Sequence, residues 1–564
     1  MPLPVPRLAG GGAGPVARRR VARGRVRRGG LARPGARRGP SPAGHAAPRA
    51  AARRRRPGRA HRVPRVPGGQ PRATGGGDAG AGRGPPPRLG GAAVVGVPVK
   101  PFAAGHPAHQ FAVLTFIRGG LIAIAITLVG GILAAFYSVP SLAPWFQQVD
   151  LDLRQLRPIH TVFASAWVFL GGVAVVYRFL QDEGPPTLGD RWRLRVQVLT
   201  WAAAGLGILL TLALGIGSGR EYVGFHPFFS VLILAGWICY AWNFFRLAGK
   251  RFWERPVYVT MWGVGLLFFI VTFVEQHMWL VPGIFGDPVQ DMRIQWKATG
   301  TLVGSFNLFV YGSVIYLGER ISGDPSYGRS TTAYMLFAVG LLNSFTNFAH
   351  HTYHLPGRES VKWIAFVVSM MEIIVLARAM FDLWRALRTP SDPAFCAARG
   401  SFAAAKWWTC AILLGAILIS IPPLNAVIHG TYVVTGHAMG AMIGIDTMIL
   451  LGAVIWILSE HFQAREGEDA WDTLHTPTMR WSLIGLNLSV AALVLWLHVV
   501  GTAVGVTRAV HAPGETYVPL DWVSAWSGIG FAVFGTLSLI FFAWLLAQLM
   551  PPAFRYWWVS EERA

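Results

Sequence analysis

The chain has 564 residues, of which 53% are hydrophobic and only 14% are charged. Soluble globular domains carry about 25% charged residues, so this composition excludes an ordinary soluble protein as well as a disordered one. The net charge of +24 is concentrated at one end, since residues 1–99 hold 22 Arg and one acid, Asp78. That segment carries +21 and leaves +3 for the rest of the chain. A nearly neutral body argues against nucleic-acid binding.

Residues 1–98 consist mainly of Arg, Gly, Pro and Ala, without apolar periodicity. Such a segment cannot bury enough apolar surface to offset its conformational entropy, so we expect it to be disordered. Its composition is typical of GC-rich DNA translated outside a selected frame, which favours a true start near Val97 or Val99. A basic arm on anionic lipid and a plain disordered tail are the alternatives. The functional domain is therefore expected in residues 99–564.

The body contains twelve apolar stretches, each long enough to span about 30 Å of hydrocarbon. They cover residues 112–138, 157–181, 194–216, 226–247, 256–280, 296–318, 331–354, 362–386, 405–423, 428–458, 480–503 and 521–549. Basic residues cluster after spans two, four, eight and twelve. By the positive-inside rule both termini face the cytoplasm, odd spans run outward and even spans run inward. The fold class is thus an all-α, polytopic, twelve-helix membrane bundle.

Four histidines fall at similar depth in the outer half of this bundle. His160 opens span two, His350 and His351 close span seven, and His437 lies about a third of the way into span ten. Polar groups are costly in a bilayer and usually functional. A lone His could simply bond to a neighbouring helix, but four at matched depth indicate metal or haem ligands.

Four motifs in chain order carry a family resemblance. They are LRPIHT at 156–161, GREY at 219–222, the pair His350-His351, and HGT at 429–431 followed by Gly436-His437. Together they resemble catalytic subunit I of the haem–copper oxidases, in the branch that holds nitric oxide reductases and cbb-type oxidases. The resemblance covers most of residues 110–550 and implies a bacterial cytoplasmic-membrane enzyme. It also implies that His160 binds a low-spin haem, that His437 binds a high-spin haem, and that the His350-His351 pair binds a non-haem metal.

One departure from the family pattern concerns the low-spin haem. The family has His-x-His in span ten, where this chain has His437-Ala438-Met439. Methionine is a known axial haem ligand that raises the reduction potential. We therefore expect His160 and Met439 to hold the low-spin haem. The alternative is that Met439 only fills space in the core.

A second departure affects the non-haem metal. By the family pattern, the third metal-binding His would fall at Gly300, and the additional Glu of nitric oxide reductases would fall at Gly304. Both positions lie on one face of the helix. We therefore expect this face to have lost its metal ligands and gained space. Two adjacent His leave a metal under-coordinated. We expect His277, with Glu275 as a further candidate, to reach into this gap. In the alternative His277 is an interfacial residue and the metal is weakly bound or absent.

The third departure bears on the reaction. The resemblance implies that an oxygen reductase needs a tyrosine six residues before the His pair, but this chain has Ser344 there. Loss of that tyrosine favours a two-electron reaction, such as reduction of nitric oxide. Glu372 resembles the carboxyl group that nitric oxide reductases keep for proton delivery, and Asp446 is a weaker relay candidate. A structural hydrogen bond is the alternative role for Glu372.

The leading functional hypothesis is a respiratory reductase that converts nitric oxide to nitrous oxide. A divergent oxygen-reducing terminal oxidase and a non-catalytic membrane haem protein are the alternatives. The resemblance implies two b-type haems and a non-haem iron, with copper as the other candidate. The three Cys include no CxxCH motif for covalent haem. Electrons must therefore come from a cytochrome c or cupredoxin-type subunit or from a quinol.

Overall fold

The computed structural model describes residues 106–249, 251–346, 351–387, 396–511 and 517–555. Within these residues the regular elements are helices, and they include no β-strand. The segment 1–98 lies outside the described residues, so its disorder and the position of the start stay predictions.

The described residues form sixteen α-helices and one π-helical segment. In chain order these are α1 (Pro107–Tyr137), α2 (Ala143–Gln148), α3 (Leu153–Glu183), α4 (Leu188–Ala213), α5 (Pro227–Ala248), α6 (Val257–Glu275), α7 (Pro282–Phe285), α8 (Pro288–Ser322), α9 (Thr331–Thr346), α10 (Glu359–Leu387), α11 (Ala397–Ser420), α12 (Pro422–Ile428), α13 (Tyr432–Met439), the π segment (Gly440–Thr447), α14 (Met448–Glu466), α15 (Pro477–Val510) and α16 (Asp521–Phe554).

The membrane-spanning helices match the predicted bundle. Eleven helical segments among the described residues are long and apolar enough to cross a membrane, which confirms a polytopic all-α protein. The seventh predicted span, 331–354, corresponds to α9, whose helix has 16 residues and ends at Thr346. Residues 347–350 lie outside the described part of the chain, so the predicted total of twelve spans depends on α9.

Local sequence signals define where two of the site-bearing helices begin. At the start of α3 the Asp152 side chain accepts from the backbone of Arg154, while the Gln155 side chain accepts from the Asp152 backbone. This capping box satisfies amide groups that the first helical turn leaves unpaired. The side chain of Thr431 caps α13 in the same position. Both caps lie within one or two turns of a candidate haem ligand.

The continuous helix Tyr432–Glu466, made of α13, the π segment and α14, lies with α8 at the centre of the bundle. These two segments are the most buried of the membrane-spanning helices, whereas α4 and α16 are the least buried. A helix that is apolar all round is expected in such an interior position. The candidate site residues are therefore carried mainly by interior helices.

An aromatic cluster fills the space enclosed by α3, α5, α6 and α8. The ring of Phe169 packs edge-to-face on Trp237, Phe269 and Phe306, with centroids 4.4–5.2 Å apart. Trp237 in turn stacks on Phe269 at 4.0 Å. Aromatic pairs in these geometries add about 0.5–1.5 kcal/mol each beyond area burial. This part of the bundle is therefore closely packed with side chains.

Buried ion pairs tie together the ends of α3, α8 and α14. Arg178 is fully buried and contacts Asp182 at 3.1 Å and Glu460 at 3.0 Å. Arg320 contacts the same two carboxylates at 2.8 and 2.9 Å. Breaking one buried pair costs about 3–5 kcal/mol because the other charge is left uncompensated. The cluster therefore sets the relative position of three helices that carry candidate site residues.

Candidate haem and metal site

The His160 ring is oriented by helix α1. Its Nδ1 donates to the carbonyl oxygen of Thr127 at 2.9 Å, and Nε2 has no hydrogen bond among the described residues. A Cβ at Gly131 would lie 2.6 Å from Nδ1, so only glycine leaves room for the ring there. Metal-binding histidines commonly donate one N–H to a carbonyl and bind through the other nitrogen. This orientation leaves Nε2 available, as the predicted haem ligation by His160 requires.

Contacts between α3 and the Tyr432–Glu466 helix lie beyond His160 and Met439 along both helices. Trp167 donates to the Thr447 hydroxyl at 3.0 Å, and one turn further along both helices Gly171 faces Leu450. The two helices therefore run side by side in the same direction here. The π segment Gly440–Thr447 separates these contacts from Met439, so ligation of one haem by His160 and Met439 stays a prediction.

The His437 side chain lies on another side of the same helix. Its Nδ1 is buried with no hydrogen-bond partner among the described residues, and the ring faces Gly415 of α11, whose Cβ position lies 3.8 Å from Nδ1. Residues two apart in an α-helix point about 200° apart. His437 and Met439 can therefore serve two different haems. The π segment that follows is a feature often found at functional sites.

His351 packs against the start of α8. Its ring stacks face to face on Trp296, with centroids 4.7 Å apart and planes 3° from parallel. The backbone of His351 also pairs with the His429 side chain, and the His429 ring lies 4.3 Å from that of His354. These contacts hold the His351 segment between α8 and α12. The neighbouring His350 lies outside the described residues.

The space expected beside Gly304 is not open. A Cβ at Gly304 would clash with the Oγ and Cβ of Ser344, so α8 and α9 pack together through these two small residues. The hydroxyl of Thr301 also donates to the Ser344 carbonyl oxygen at 3.1 Å. The expectation that lost ligands leave a gap is therefore wrong at Gly304, because the neighbouring helix moves in to fill it.

The His277 ring is held by α5 and by the end of α6. Its Nε2 lies 2.7 Å from the Ser230 hydroxyl of α5, and its Nδ1 lies 2.7 Å from the carbonyl oxygen of Phe273. Both nitrogens are engaged, so His277 offers no free nitrogen to a metal in this arrangement. The expectation that His277 completes the site is therefore not supported by this geometry.

Glu275 and Gln276 are the residues of this turn that face α8. Lys297 donates to Glu275 at 2.6 Å, and Gln276 is buried and donates to Thr299 at 3.1 Å. Among the described residues no group of three or more His, Cys, Asp or Glu is arranged to hold a metal. A ligand role for Glu275 stays a prediction, and the non-haem site depends on residues beyond those described.

The loop that carries the GREY sequence lies between α4 and α5 and forms ion pairs with both α3 and α8. Arg220 contacts both carboxylate oxygens of Asp291, at 2.8 and 3.0 Å, and Glu221 accepts from Arg157 at 2.7 Å. Tyr222 has a φ of 60°, a left-handed conformation that costs a non-glycine residue about 1–2 kcal/mol. The ion pairs on either side hold Tyr222 in this strained position.

Comparison with known proteins identifies the family of this chain. Residues 111–550 match the family model described as cytochrome c and quinol oxidase polypeptide I. The chain belongs to this family, the catalytic subunit I of the haem–copper oxidases. It is a divergent, multi-pass membrane member, and the family consists of haem-binding oxidoreductases.

The relatives are distant from this haem–copper oxidase subunit. It is 26% identical over 473 residues to a cbb3-type cytochrome c oxidase subunit CcoN1 of Stutzerimonas stutzeri, covering 78% of this chain and 92% of the relative. It is 23% identical to a cytochrome c oxidase subunit 1 homolog of Agrobacterium tumefaciens (strain T37), covering 66% and 69%. A cryo-EM structure of a haem–copper terminal oxidase dimer matches with a TM-score of 0.58, 16% identity and coverage of 79% and 84%.

Glu372 lies near the Gly304–Ser344 contact of this oxidase subunit. Its Oε1 is 3.9 Å from the Cβ position of Gly340, which is one helical turn from Ser344 on the same face of α9. Glu372 is buried, and no hydrogen bond to it occurs among the described residues. The structure therefore places the predicted proton-delivery carboxyl beside the helix pair where the lost side chains would stand.

Sequence reasoning missed two residues of this region. Tyr311 of α8 is buried. Gln276 bridges α6 to α8 where a metal ligand was expected. The signal for Tyr311 was a hydroxyl-bearing side chain in an apolar membrane span, which it shares with Tyr316. Nothing in the local pattern distinguishes Gln276 from its neighbour His277.

Proposed function

We propose that this protein is a membrane-bound respiratory reductase that converts nitric oxide to nitrous oxide: 2 NO + 2 H⁺ + 2 e⁻ → N₂O + H₂O. The observation that carries the proposal is the contact of Ser344 with Gly304. Position 344 holds no phenol, and the close approach of α8 and α9 leaves no room for one. A two-electron reaction does not need the extra electron and proton that a tyrosine supplies to oxygen reduction.

The described residues fit two haems. His160 and Met439 would hold the low-spin haem, and His437, with its unpartnered Nδ1, would hold the high-spin haem. Haem iron supplies one-electron redox chemistry at a site whose ligands and hydrogen bonds tune the potential. We propose b-type haems from the family resemblance, and the sequence has no CxxCH motif for covalently attached haem c.

The described residues alone do not fit the non-haem metal. His351 is held against Trp296, but no third ligand stands near it among these residues. The proposed site needs His350, and it needs a further ligand for which Glu275 is the candidate. Iron is the proposed metal and copper the alternative.

Two features of the chain suit a site for a small apolar gas: limited space and a buried proton donor. The buried α8–α9 contact limits the space around the reacting centre, and Glu372 provides a proton donor in an otherwise apolar environment. Desolvation keeps a buried carboxyl group protonated, so that it can donate when charge develops nearby. Proton delivery to the product water is therefore assigned to Glu372.

Electron supply comes from outside this chain. We propose a cytochrome c or cupredoxin-type subunit as the donor, with a quinol as the alternative. The relative in Stutzerimonas stutzeri is a subunit of a cytochrome c oxidase, which favours the cytochrome. We further propose that the protein resides in the bacterial cytoplasmic membrane with both termini in the cytoplasm.

Oxygen reduction is the second candidate function, and the cbb3-type relative is the observation that favours it. Steady-state turnover distinguishes the two. The purified complex, reduced by ascorbate and a mediator, should consume NO at least tenfold faster than O₂ and form one N₂O per two NO. His437→Ala should abolish this activity, which controls for reduction by the mediator. Faster O₂ consumption that His437→Ala also abolishes would establish an oxidase, and neither activity would establish a non-catalytic haem protein.

A further inference from the structure

Helix α11 packs tightly against the continuous helix that α13, the π segment and α14 form. A Cβ at Gly444 would collide with the Trp408 indole, and a Cβ at Gly440 would collide with the Ile412 side chain. The Trp408 ring is also fixed by α15, because its Nε1 donates to the Asn487 side-chain oxygen at 2.7 Å. The two contacts are separated by about one turn on each helix. They therefore fix the register of two antiparallel helices.

The next pair in this register is Gly415 with His437, and here the sizes of the two residues are reversed. Gly415 follows Ile412 on the same face of α11, and His437 precedes Gly440 on the other helix. The Cβ position of Gly415 lies 3.8 Å from Nδ1 of His437. At this level α11 supplies only a glycine, which has no side chain that could accept a hydrogen bond from the ring.

The His437 ring differs in its hydrogen bonds from other histidines of the membrane helices. Its Nδ1 has no partner among the described residues and is closed to water, whereas Nε2, which has no hydrogen bond there either, is not enclosed. In contrast, Nδ1 of His160 donates to the Thr127 carbonyl oxygen at 2.9 Å, and Nδ1 of His498 donates to that of Val494 at 2.7 Å. Of the two candidate axial histidines, only His437 lacks an acceptor for Nδ1 in the described part of the chain.

The hydrogen bond at the second nitrogen of an imidazole controls how strongly the ring binds a metal. An oxygen that accepts from Nδ1 makes the ring more basic, and the lack of such an acceptor leaves a weaker ligand. A weaker donor stabilises ferric iron less than a strong one does, so the haem that it binds is reduced more easily. His160 and His437 should therefore bind their haems with different strengths.

We infer that Gly415 is a positioning residue that keeps His437 a weak ligand, and that it makes the high-spin haem easier to reduce than an acceptor at this position would. The inference rests on one part of the proposed function, that His437 binds this haem, and it is independent of the gas that is reduced. It also agrees with the proposed ligation by Met439. Methionine raises the potential of the low-spin haem, so onward electron transfer stays favourable only if the potential of the high-spin haem is raised as well.

The test places an acceptor at position 415 of the purified complex and compares it with a methyl group. Gly415→Ser brings a hydroxyl oxygen within hydrogen-bond reach of Nδ1, whereas Gly415→Ala, the matched control, adds only an ordinary van der Waals contact at 3.8 Å. Resonance Raman spectra of the reduced protein should show the iron–histidine stretching band of the high-spin haem at higher frequency in Gly415→Ser and unmoved in Gly415→Ala. In a redox titration the serine should lower the equilibrium constant for reduction of that haem roughly fivefold, the effect of one ordinary hydrogen bond. The low-spin haem should keep its potential in both variants.

The outcomes separate this inference from the proposed function. An iron–histidine band and a potential that are the same in the serine, alanine and unsubstituted proteins would overturn the inference. An equal shift in Gly415→Ser and Gly415→Ala would also overturn it, because packing alone would then explain the change. Retention of the high-spin haem in His437→Ala would overturn the ligation on which the inference rests. The predicted serine shift in a complex that does not reduce NO would overturn the proposed function and keep the inference.

Discussion

The α-carbon of Gly304 in α8 and the side chain of Ser344 in α9 pack so closely that any side chain at 304 would collide with the Ser344 hydroxyl. Two positions at which the family resemblance implies a large reactive side chain are both small here. Because both residues are small, α8 and α9 approach closely, and the Ser344 side chain fills the space beside Gly304. The change is therefore a coordinated repacking of two helices and not an empty pocket.

The close contact between Gly304 and Ser344 predicts that a larger residue at 304 lowers thermal stability. Gly304→Ala should lower the thermal unfolding temperature, because overpacking a tight core contact costs about 1–3 kcal/mol. Gly304→Ala combined with Ser344→Gly should recover most of the loss. Differential scanning calorimetry in detergent measures both. Equal stability of Gly304→Ala and the unsubstituted protein would mean that α8 and α9 are not in contact here.

A glycine in α1 should control binding of the low-spin haem. In Gly131→Ala the new methyl group would press on the His160 ring from 2.6 Å and displace it from the Thr127 carbonyl. We expect loss of about half or more of the low-spin haem, measured by the reduced-minus-oxidised spectrum. Gly119→Ala is the matched control on the same helix, because its Cβ would make only an ordinary 3.5 Å contact with Leu170. Equal haem loss in both variants would contradict the assignment.

Met439 should set the potential of that haem. Met439→His should lower the midpoint potential by on the order of 100 mV, a fraction of the about 0.8 V that axial ligands span. It should also remove any thioether–iron absorption band. Met442→Leu, three residues along the same helix, is the control and should change neither property. A redox titration with an unshifted midpoint in Met439→His would exclude Met439 as a ligand.

His277 should be dispensable for the non-haem metal. Both of its ring nitrogens are used in hydrogen bonds, so His277→Ala should keep the metal and lose only about 1 kcal/mol of stability per hydrogen bond. His351→Ala should lose the metal. Metal analysis of the two purified variants makes the comparison. Metal loss in His277→Ala would mean that the ring turns toward His351 when metal binds.

The helices were predictable because a membrane span needs a long apolar run, and that signal is local. The matched membrane depth of His160 and His437 stays a prediction from their positions within their spans. The Gly304–Ser344 contact was not predictable, since the two residues are forty positions apart and only helix packing brings them together. The orientation of His277 was missed for a similar reason. It lies just past the end of α6, where a change of one residue turns a side chain from α8 to α5.

Tyr311 shows the same limit in another form. Its burial could not be read from the apolar sequence around it alone. A side chain in the middle of a span can face the core, a cofactor or lipid with the same local pattern. Only the packing of α8 against α6, α9 and α10 distinguishes these cases.

The central claim is that this subunit reduces nitric oxide, and single-turnover product analysis tests it most directly. The fully reduced complex, freed of external donor, is mixed with ¹⁵N-labelled NO and the gas phase is analysed by mass spectrometry. Two reduced haems and a reduced non-haem metal hold enough electrons for one reaction. We predict about one doubly labelled N₂O per complex. Uptake of NO without any N₂O, together with rapid O₂ consumption by the same complex once an external electron donor is added back, would contradict the account.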